Sequence, residues 1–88
     1  MSYQANLSRE ALKRLDRLDH STYQRIERRL YELKADPFDP RISKSLKGLE
    51  GMRSSRVGDW RILYTVNPSI QTIYIVAIRP RGEAYRGL

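Results

Sequence analysis

The segment SSRVGDWRILYTV, residues 54–66, decides the fold of this chain. Its Gly58-Asp59 pair predicts a tight turn between two strands, because these residue types adopt the backbone conformations that short hairpin loops require. The WRILYTV that follows alternates as a strand does. One predicted face carries Trp60, Ile62, Tyr64 and Val66. We therefore predict that Trp60 belongs to the core and that Arg61 projects from the open side of a sheet.

Two further segments extend this hairpin into an antiparallel meander. MRSSRV, residues 52–57, is a short strand on its N-terminal side. TIYIVAIRP, residues 72–80, is apolar on both faces, which is typical of a central strand that helices cover on one side. NPSIQ, residues 67–71, has the composition of a turn and joins the last two strands.

Upstream of the meander, apolar residues recur with helical spacing. Leu7, Ala11, Leu15 and Leu18 lie four, four and three positions apart. Ser8 is a suitable N-cap for this helix, which we expect to end near Asp19 and His20. We interpret His20 as a turn or cap residue.

A second helix is predicted almost immediately afterwards. Ser21 offers an N-cap with Gln24 at the capping-box spacing, and the helix stops before Pro37. Its apolar stripe consists of Tyr23, Ile26, Leu30 and Leu33. Because so few residues separate the two helices, we expect an antiparallel helical hairpin. DPFDPRISKSLKGLEG, residues 36–51, indicates an irregular connection to the sheet.

These segments together predict an α+β fold with the order βααβββ. A strand from SYQANLS, residues 2–8, comes first, and the helical hairpin packs on one face of a small, mainly antiparallel sheet. At 88 residues the chain is expected to form one domain, residues 1–88.

The composition narrows the possible functions. The chain has 17 Lys and Arg against 10 Asp and Glu, a formal net charge of +7, which favours a partner rich in phosphate or carboxylate groups. It has no cysteine and one histidine, so we expect no metal and no cofactor. No apolar run reaches the roughly 18 residues of a membrane span, and we expect a cytoplasmic protein with no membrane partner.

The positive charge is concentrated in the second half of the chain. Residues 8–36 carry eight basic and six acidic side chains, whereas residues 37–88 carry nine and four. The basic residues of this half form three groups: Lys44 and Lys47; Arg53, Arg56 and Arg61; and Arg79, Arg81 and Arg86. An antiparallel meander can bring such groups together on one face, where arginine forks can contact phosphate. Tyr85 lies beside the last group and could stack on a base or take part in proton transfer.

SLKGLEGMRSSRVGDWRILYTV, residues 45–66, resembles the central signature of the RelE/ParE superfamily of toxin–antitoxin toxins. In that superfamily a Lys-Leu-Gly segment leads into a strand, an Arg-Val/Leu-Gly-Asp-Tyr-Arg turn and an apolar strand ending in tyrosine. Here Trp60 stands in the aromatic place. IRPRGEAYR, residues 78–86, resembles the end of archaeal-type RelE toxins. The chain length, the helical hairpin and the meander agree as well, so the resemblance spans nearly the whole chain.

The resemblance implies an mRNA endoribonuclease that cleaves in the ribosomal A site. A ribose 2′-OH would attack the adjacent phosphate without metal. Arg61 would contact the scissile phosphate, Arg81 or Arg79 would be the second catalytic arginine, and Tyr85 would orient or activate the nucleophile. The predicted RNA-binding residues are Lys44, Lys47, Arg53, Arg56 and Arg86.

The resemblance also implies an acidic, RelB-like antitoxin in a heteromeric complex, besides the ribosome with mRNA in its A site. Ser54 departs from the pattern, since many members carry a basic residue there, and Arg53 is predicted to face the opposite side of the strand. Two alternatives stay open. One is a ParE-like inhibitor of DNA gyrase, and the other is a catalytically weak homologue that only binds its antitoxin.

Overall fold

The structure is a computed structural model and describes residues 2–88; the first residue of the predicted domain, Met1, lies outside them. It contains two helices and five strands in the order β1 (Gln4–Leu7), α1 (Arg9–Arg17), α2 (His20–Ala35), β2 (Lys44–Ser45), β3 (Met52–Val57), β4 (Trp60–Asn67) and β5 (Thr72–Pro80). Short 3₁₀ turns follow β4 at Pro68–Ile70 and β5 at Arg81–Glu83. The predicted α+β class and the βααβββ framework are confirmed.

The five strands form one sheet in the order β1-β5-β4-β3-β2. The β3-β4-β5 meander is antiparallel as predicted, and β1 pairs parallel with β5. Strand β2 was not predicted; it pairs antiparallel with β3 inside the segment that was expected to be irregular. Two residues are too few to show an alternating pattern, so this strand has no signal of its own.

Both helices begin at side-chain caps. Ser8 is the N-cap of α1 as predicted, and its Oγ accepts from the Ala11 amide at 3.0 Å. The N-cap of α2 is Asp19, whose carboxylate accepts from the Thr22 amide at 3.2 Å, so the predicted cap at Ser21 is wrong. Aspartate caps as well as serine does, and the earlier cap lengthens the helix by two residues. His20 is therefore the first helical residue.

The core lies between the helices and one face of the sheet. Its fully buried members include Ala11, Ile26 and Leu33 from the helices and Ile62, Tyr64, Ile73, Ile75 and Ile78 from the strands. The predicted alternation of β4 is confirmed on this face, which we call the core face. Trp60 is only partly buried, packs at the margin of the core, and lies 5.4 Å from the Arg14 guanidinium.

An irregularity in β5 keeps this face apolar. The β4–β5 register shifts between Leu63 and Tyr64, which leaves Val76 unpaired between Ile75 and Ala77. The Ser8 hydroxyl donates to the Val76 carbonyl oxygen at 2.6 Å and thereby fixes the start of α1 to the bulge. Bulges of this kind bend a strand and reorient its side chains.

The β3–β4 hairpin closes where the sequence predicted. Val57 pairs with Trp60, and Gly58 has a φ of 59°. Two-residue hairpin loops need a positive φ at their first central position, which glycine adopts at low cost. The turn therefore requires the glycine that the sequence supplies. Within residues 2–88, neither helix is long and apolar enough to cross a membrane.

Candidate phosphate-binding site

Three arginines form a row across the sheet face that points away from the core. Arg56 on β3 is directly opposite Arg61 on β4, and Arg61 is directly opposite Arg79 on β5. We call this the open face. Directly opposed side chains in antiparallel strands lie about 4.5–5.5 Å apart at Cβ, and like charges at that spacing repel. A row of this kind is stable when an anion or a set of hydrogen bonds neutralises it.

The Arg56 and Arg61 end of the row opens into a cleft of about 380 Å³ at the free edge of β3. Its charged lining consists of Arg29, Arg41, Lys44, Arg56 and Arg61, with no aspartate or glutamate among the residues that line it. We call this the arginine cleft. Guanidinium groups contact phosphate oxygens through paired N–H donors and remain charged at every physiological pH.

Arg29 forms the helical wall of the cleft. Because β2 pairs with Arg53 and Ser54 only, the part of β3 that follows Ser54 has an open edge. Arg29 occupies this edge by donating from Nη1 to the Arg56 carbonyl oxygen at 2.6 Å and to Ser55 Oγ at 2.9 Å. Its Nε donates to Glu32 at 3.0 Å. Arg29 therefore connects α2 to the strand that carries Arg56.

The five cations differ in how far they are neutralised. Arg41 pairs with Asp39, and hydrogen bonds from Arg41 lower the pKa of Asp39 to about 2. Within residues 2–88, Lys44, Arg56 and Arg61 form no ion pair. Arg56 and Arg61 donate only to nearby backbone carbonyl oxygens, at 3.1 and 3.3 Å. Their charges are therefore available to an incoming anion.

Lys44 and Ser54 lie beside the arginine row. Lys44 on β2 is directly opposite Ser54 on β3, and both line the arginine cleft. Ser54 is only 3% exposed and forms part of the floor, whereas Lys44 is exposed. The neighbouring strand thus supplies a positive charge directly over the serine.

Arg79 holds the C-terminal tail, residues 81–88, against the open face. It forms a two-point ion pair with Glu10 at the start of α1 and donates to the carbonyl oxygens of Ala84 and Arg86. The side chain of Arg79 is 17% exposed. The Arg79 guanidinium holds the pKa of Glu10 below its ordinary value of 4.5.

The tail covers apolar residues of the open face. Leu63 and Ala77 lie opposite each other there and are fully buried, and Ala84 of the tail is 2% exposed. The Arg81 amide donates to the Asp59 carbonyl oxygen at 2.7 Å, which fixes the start of the tail beside the hairpin turn. The Arg81 side chain is exposed, and Tyr85 is 47% exposed.

The predicted site residues therefore separate into groups. Lys44, Arg56 and Arg61 meet in the arginine cleft. Arg79 belongs to the row, but its guanidinium already donates hydrogen bonds to Glu10 and to the tail carbonyl oxygens. Arg81, Tyr85 and Arg86 belong to the exposed tail, and Lys47 lies in the exposed loop between β2 and β3.

Arg53 projects from the core face, as predicted for it. It is opposite Tyr64, donates to Ser43 Oγ at 2.8 Å and lies 5.1 Å from the Phe38 ring. Tyr64 in turn donates to the Pro37 carbonyl oxygen at 2.7 Å and shares a short hydrogen bond with Ser43. These contacts fix the loop that leads into β2, and hence the position of Lys44.

Two residues that line the cleft, Arg29 and Arg41, were not predicted from the sequence. Arg29 has Glu32 three positions later, and Arg41 has Asp39 two positions earlier, so both could be explained by local ion pairs. The contact of Arg29 with Arg56 joins residues 27 positions apart, and no local pattern reports it.

The arginine cleft is suited to stabilising a phosphate on which charge develops. Preorganised cations contribute most where the charge of a transition state increases, because they need not reorient during the reaction. Residues 2–88 contain no group of three or more His, Asp or Glu side chains placed to hold a metal ion. The site as described thus consists of fixed cations, a lysine and hydroxyl groups.

Solved structures show the same fold in other proteins. The RelE toxin of the archaeal RelE–RelB complex from Pyrococcus horikoshii OT3 is 27% identical, with 96% of this chain and 100% of that chain covered and a TM-score of 0.80. The RelBE2 toxin–antitoxin complex from Mycobacterium tuberculosis is 24% identical, with 92% of this chain and 93% of that chain covered and a TM-score of 0.80. The intact RelBE toxin–antitoxin complex from E. coli is 16% identical, with 90% of this chain and 96% of that chain covered. Its TM-score of 0.78 shows a shared fold.

Comparison with curated proteins finds no significant match. A family model, described as the ParE toxin of the type II toxin–antitoxin system parDE, matches residues 5–85. That range runs from β1 to Tyr85 and includes the arginine cleft. The predicted superfamily membership is therefore confirmed: the chain belongs to the ParE toxin family of type II toxin–antitoxin systems, within the RelE/ParE superfamily.

Proposed function

We propose that this toxin is a ribosome-dependent mRNA endoribonuclease that acts in the cytoplasm on mRNA in the ribosomal A site. A ribose 2′-oxygen attacks the adjacent phosphorus, the bond to the 5′-oxygen of the next nucleotide breaks, and a 2′,3′-cyclic phosphate and a 5′-OH result. The reaction needs no metal if fixed cations stabilise the pentavalent phosphorus.

One observation carries this proposal: Arg61 lies in a row of arginines, and its charge meets no carboxylate within residues 2–88. A protein that has no need of an anion would gain little from opposing Arg56 and Arg61 directly. An RNA phosphate in the arginine cleft would neutralise both. We assign the scissile phosphate to Arg61, and Arg56, directly opposite, binds the RNA backbone at the same phosphate.

The second catalytic arginine is Arg81 in this proposal. Arg79 already donates to Glu10 and to two tail carbonyl oxygens, whereas the Arg81 side chain is exposed next to the hairpin turn. Tyr85, held nearby by the tail, orients the 2′-OH. Lys44, Lys47 and Arg86 contact the RNA backbone, while Arg53 supports the loop before β2.

The partner is an acidic, RelB-like antitoxin. The solved toxins from P. horikoshii, M. tuberculosis and Methanococcus jannaschii occur in complexes with antitoxins. The net charge of +7 would speed association with an acidic chain, and we expect the association rate to fall as the salt concentration rises. A rate that does not depend on salt would contradict electrostatic steering.

The alternative target is DNA gyrase, which the match to the ParE family model favours. A gyrase inhibitor needs to bind and needs no phosphate at Arg61. The two functions therefore differ in what they predict for messages and for supercoiling.

Induction of the toxin in cells, followed by mapping of transcript 5′ ends, tests the proposal. We expect cuts in phase with codons in translated messages, and loss of the cuts with Arg61→Ala and with Tyr85→Phe. Arg28→Ala, an exposed arginine of α2 outside the cleft, is the matched control. Intact messages together with inhibited supercoiling would establish the gyrase alternative. Intact messages, normal supercoiling and tight antitoxin binding would leave only an antitoxin-binding role.

A further inference from the structure

We propose that Lys44 is the catalytic residue that protonates the departing 5′-oxygen. This inference rests on the proposed function and adds to it a proton donor. The starting observation is the chemistry of the cleft lining, which consists of four arginines, Lys44, two serines, a proline and an isoleucine. A guanidinium cannot give up a proton in proteins, whereas a lysine ammonium can. Of the residues that line this cleft, Lys44 is therefore the one suited to general acid catalysis.

The sheet register places the Lys44 side chain where the proton is needed. Lys44 stands opposite Ser54, and Ser54 is next but one to Arg56 on the same face of β3. Diagonal neighbours in a sheet lie about 7–8 Å apart, which is within reach of a long side chain. A phosphate that bridges Arg56 and Arg61 would therefore lie within reach of the Lys44 ammonium.

Ser54 makes room for this geometry. It forms the floor of the cleft, and its side chain is short. A long basic side chain at this position would occupy the space directly below Lys44. The serine thus leaves a place for the substrate phosphate, and the cation comes from the neighbouring strand.

The loop before β2 keeps Lys44 in position. Ser43, the residue before it, is buried and hydrogen-bonded to both Tyr64 and Arg53. A general acid needs a defined position relative to the leaving atom. The anchored Ser43 fixes the backbone from which Lys44 projects.

The proton balance of the step is simple. The 2′-oxygen forms its bond to phosphorus and releases its proton to water. The P–O5′ bond breaks, and the Lys44 ammonium gives its proton to the 5′-oxygen. The resulting neutral amine takes a proton from solvent and restores the starting state.

A substrate with a sulfur atom in place of the bridging 5′-oxygen tests this role. A thiolate is a good leaving group and departs without protonation, because thiols have pKa values of about 8.5. Ribosomes programmed with the ordinary and with the 5′-thio message are mixed with excess toxin, and single-turnover cleavage rates are measured. Lys44→Arg keeps the charge and removes the usable proton, and Lys13→Arg, on the exposed side of α1 outside the cleft, is the matched control.

We expect Lys44→Arg to slow cleavage of the ordinary message by roughly 10²–10⁴-fold and to cleave the 5′-thio message at close to the wild-type rate. Lys13→Arg should cleave both messages at the wild-type rate. Equal losses on both messages, or no loss on the ordinary one, would overturn the role of Lys44 while the nuclease function stands. A wild-type toxin that cleaves neither message would overturn the nuclease function, and the role of Lys44 with it.

Discussion

Arg79 and Glu10, 69 positions apart in the chain, form an ion pair through two hydrogen bonds, from Nε to Oε2 at 2.8 Å and from Nη2 to Oε1 at 3.0 Å. The same guanidinium also donates to the carbonyl oxygens of Ala84 and Arg86. One side chain thus joins α1, the end of β5 and the C-terminal tail. The position of Tyr85 depends on this junction.

Glu10→Gln is expected to loosen the tail. The ion pair is partly exposed, so the free energy of unfolding at pH 7 should fall by only about 0.5–1 kcal/mol. The pKa of Glu10 is lowered in the folded state, so its contribution is present above 4.5 and is lost as the pH falls through the folded value. Urea unfolding between pH 3 and 7 should show less acid-induced loss for Glu10→Gln than for Glu50→Gln, an exposed control. Equal pH dependence of the two variants would contradict a stabilising ion pair between Glu10 and Arg79.

Arg79→Ala and Arg81→Ala should affect cleavage by different routes. Arg79→Ala removes the side chain that holds the tail, so the amides of residues 84–88 should exchange with solvent faster. Arg81→Ala keeps the backbone bond to Asp59 and should leave exchange unchanged. It should still slow cleavage by roughly 10²-fold or more, because a transition-state contact is lost. Slow cleavage by Arg81→Ala with unchanged amide exchange in the tail would support a catalytic role for Arg81. Cleavage at the wild-type rate would show that Arg81 does not belong to the site.

Arg29→Ala is expected to destabilise the fold. Ser55 is fully buried and its hydroxyl oxygen would lose its donor, whereas water can replace Arg29 at the exposed Arg56 carbonyl oxygen. Unsatisfied buried polar groups cost about 1–3 kcal/mol each, so a loss of about 2 kcal/mol in urea unfolding is expected. Arg28→Ala, on the exposed side of α2, should change stability by less than about 0.5 kcal/mol. Similar values for the two variants would show that Arg29 is not needed at this edge.

Tyr64→Phe should weaken the loop before β2. The hydroxyl donates to the Pro37 carbonyl oxygen and bonds Ser43, and its loss should cost about 1–2 kcal/mol. Burial raises the pKa of Tyr64 above 10.0, so its contribution is complete below pH 10 and is lost as the pH rises towards the folded value. Thermal unfolding from pH 8 to 11 should therefore show a smaller alkaline loss for Tyr64→Phe than for Tyr74→Phe, which changes an exposed tyrosine. The reverse order would be inconsistent with a buried Tyr64 hydroxyl.

Gly58→Ala should destabilise the β3–β4 hairpin by about 1–2 kcal/mol. The φ of 59° is unfavourable for an L-residue with a side chain. An added Cβ would also come within 2.5 Å of Arg25 Nη2, although the end of that side chain can move away. Gly58→Asn, which tolerates this conformation better, should recover part of the loss in chemical denaturation. An alanine variant as stable as wild type would mean that the turn can adopt another form.

The sequence predicts the meander well because alternation over the residues of β4 and a glycine at the turn are both local signals. It could not predict β2, since two residues show no period. The cap of α2 was predicted at Ser21 and lies at Asp19, because both residue types cap helices well. The unpaired position of Val76 could not be predicted, because β5 is apolar on both faces and shows no break in alternation. For the candidate site, strand alternation predicted that Arg61 faces the open side of the sheet, whereas the contacts of Arg79 depend on Glu10, which lies in a distant helix.

The parallel pairing of β1 with β5 also has a consequence for synthesis on the ribosome. Gln4–Leu7 pairs with residues 72–75, so the first strand has no pairing partner until β5 has been translated. Contacts between such distant segments form late and slowly. Ser8 likewise meets Val76, and Glu10 meets Arg79, only at that stage. The contacts that join β1 and the start of α1 to β5 are therefore among the last to form as this protein is made.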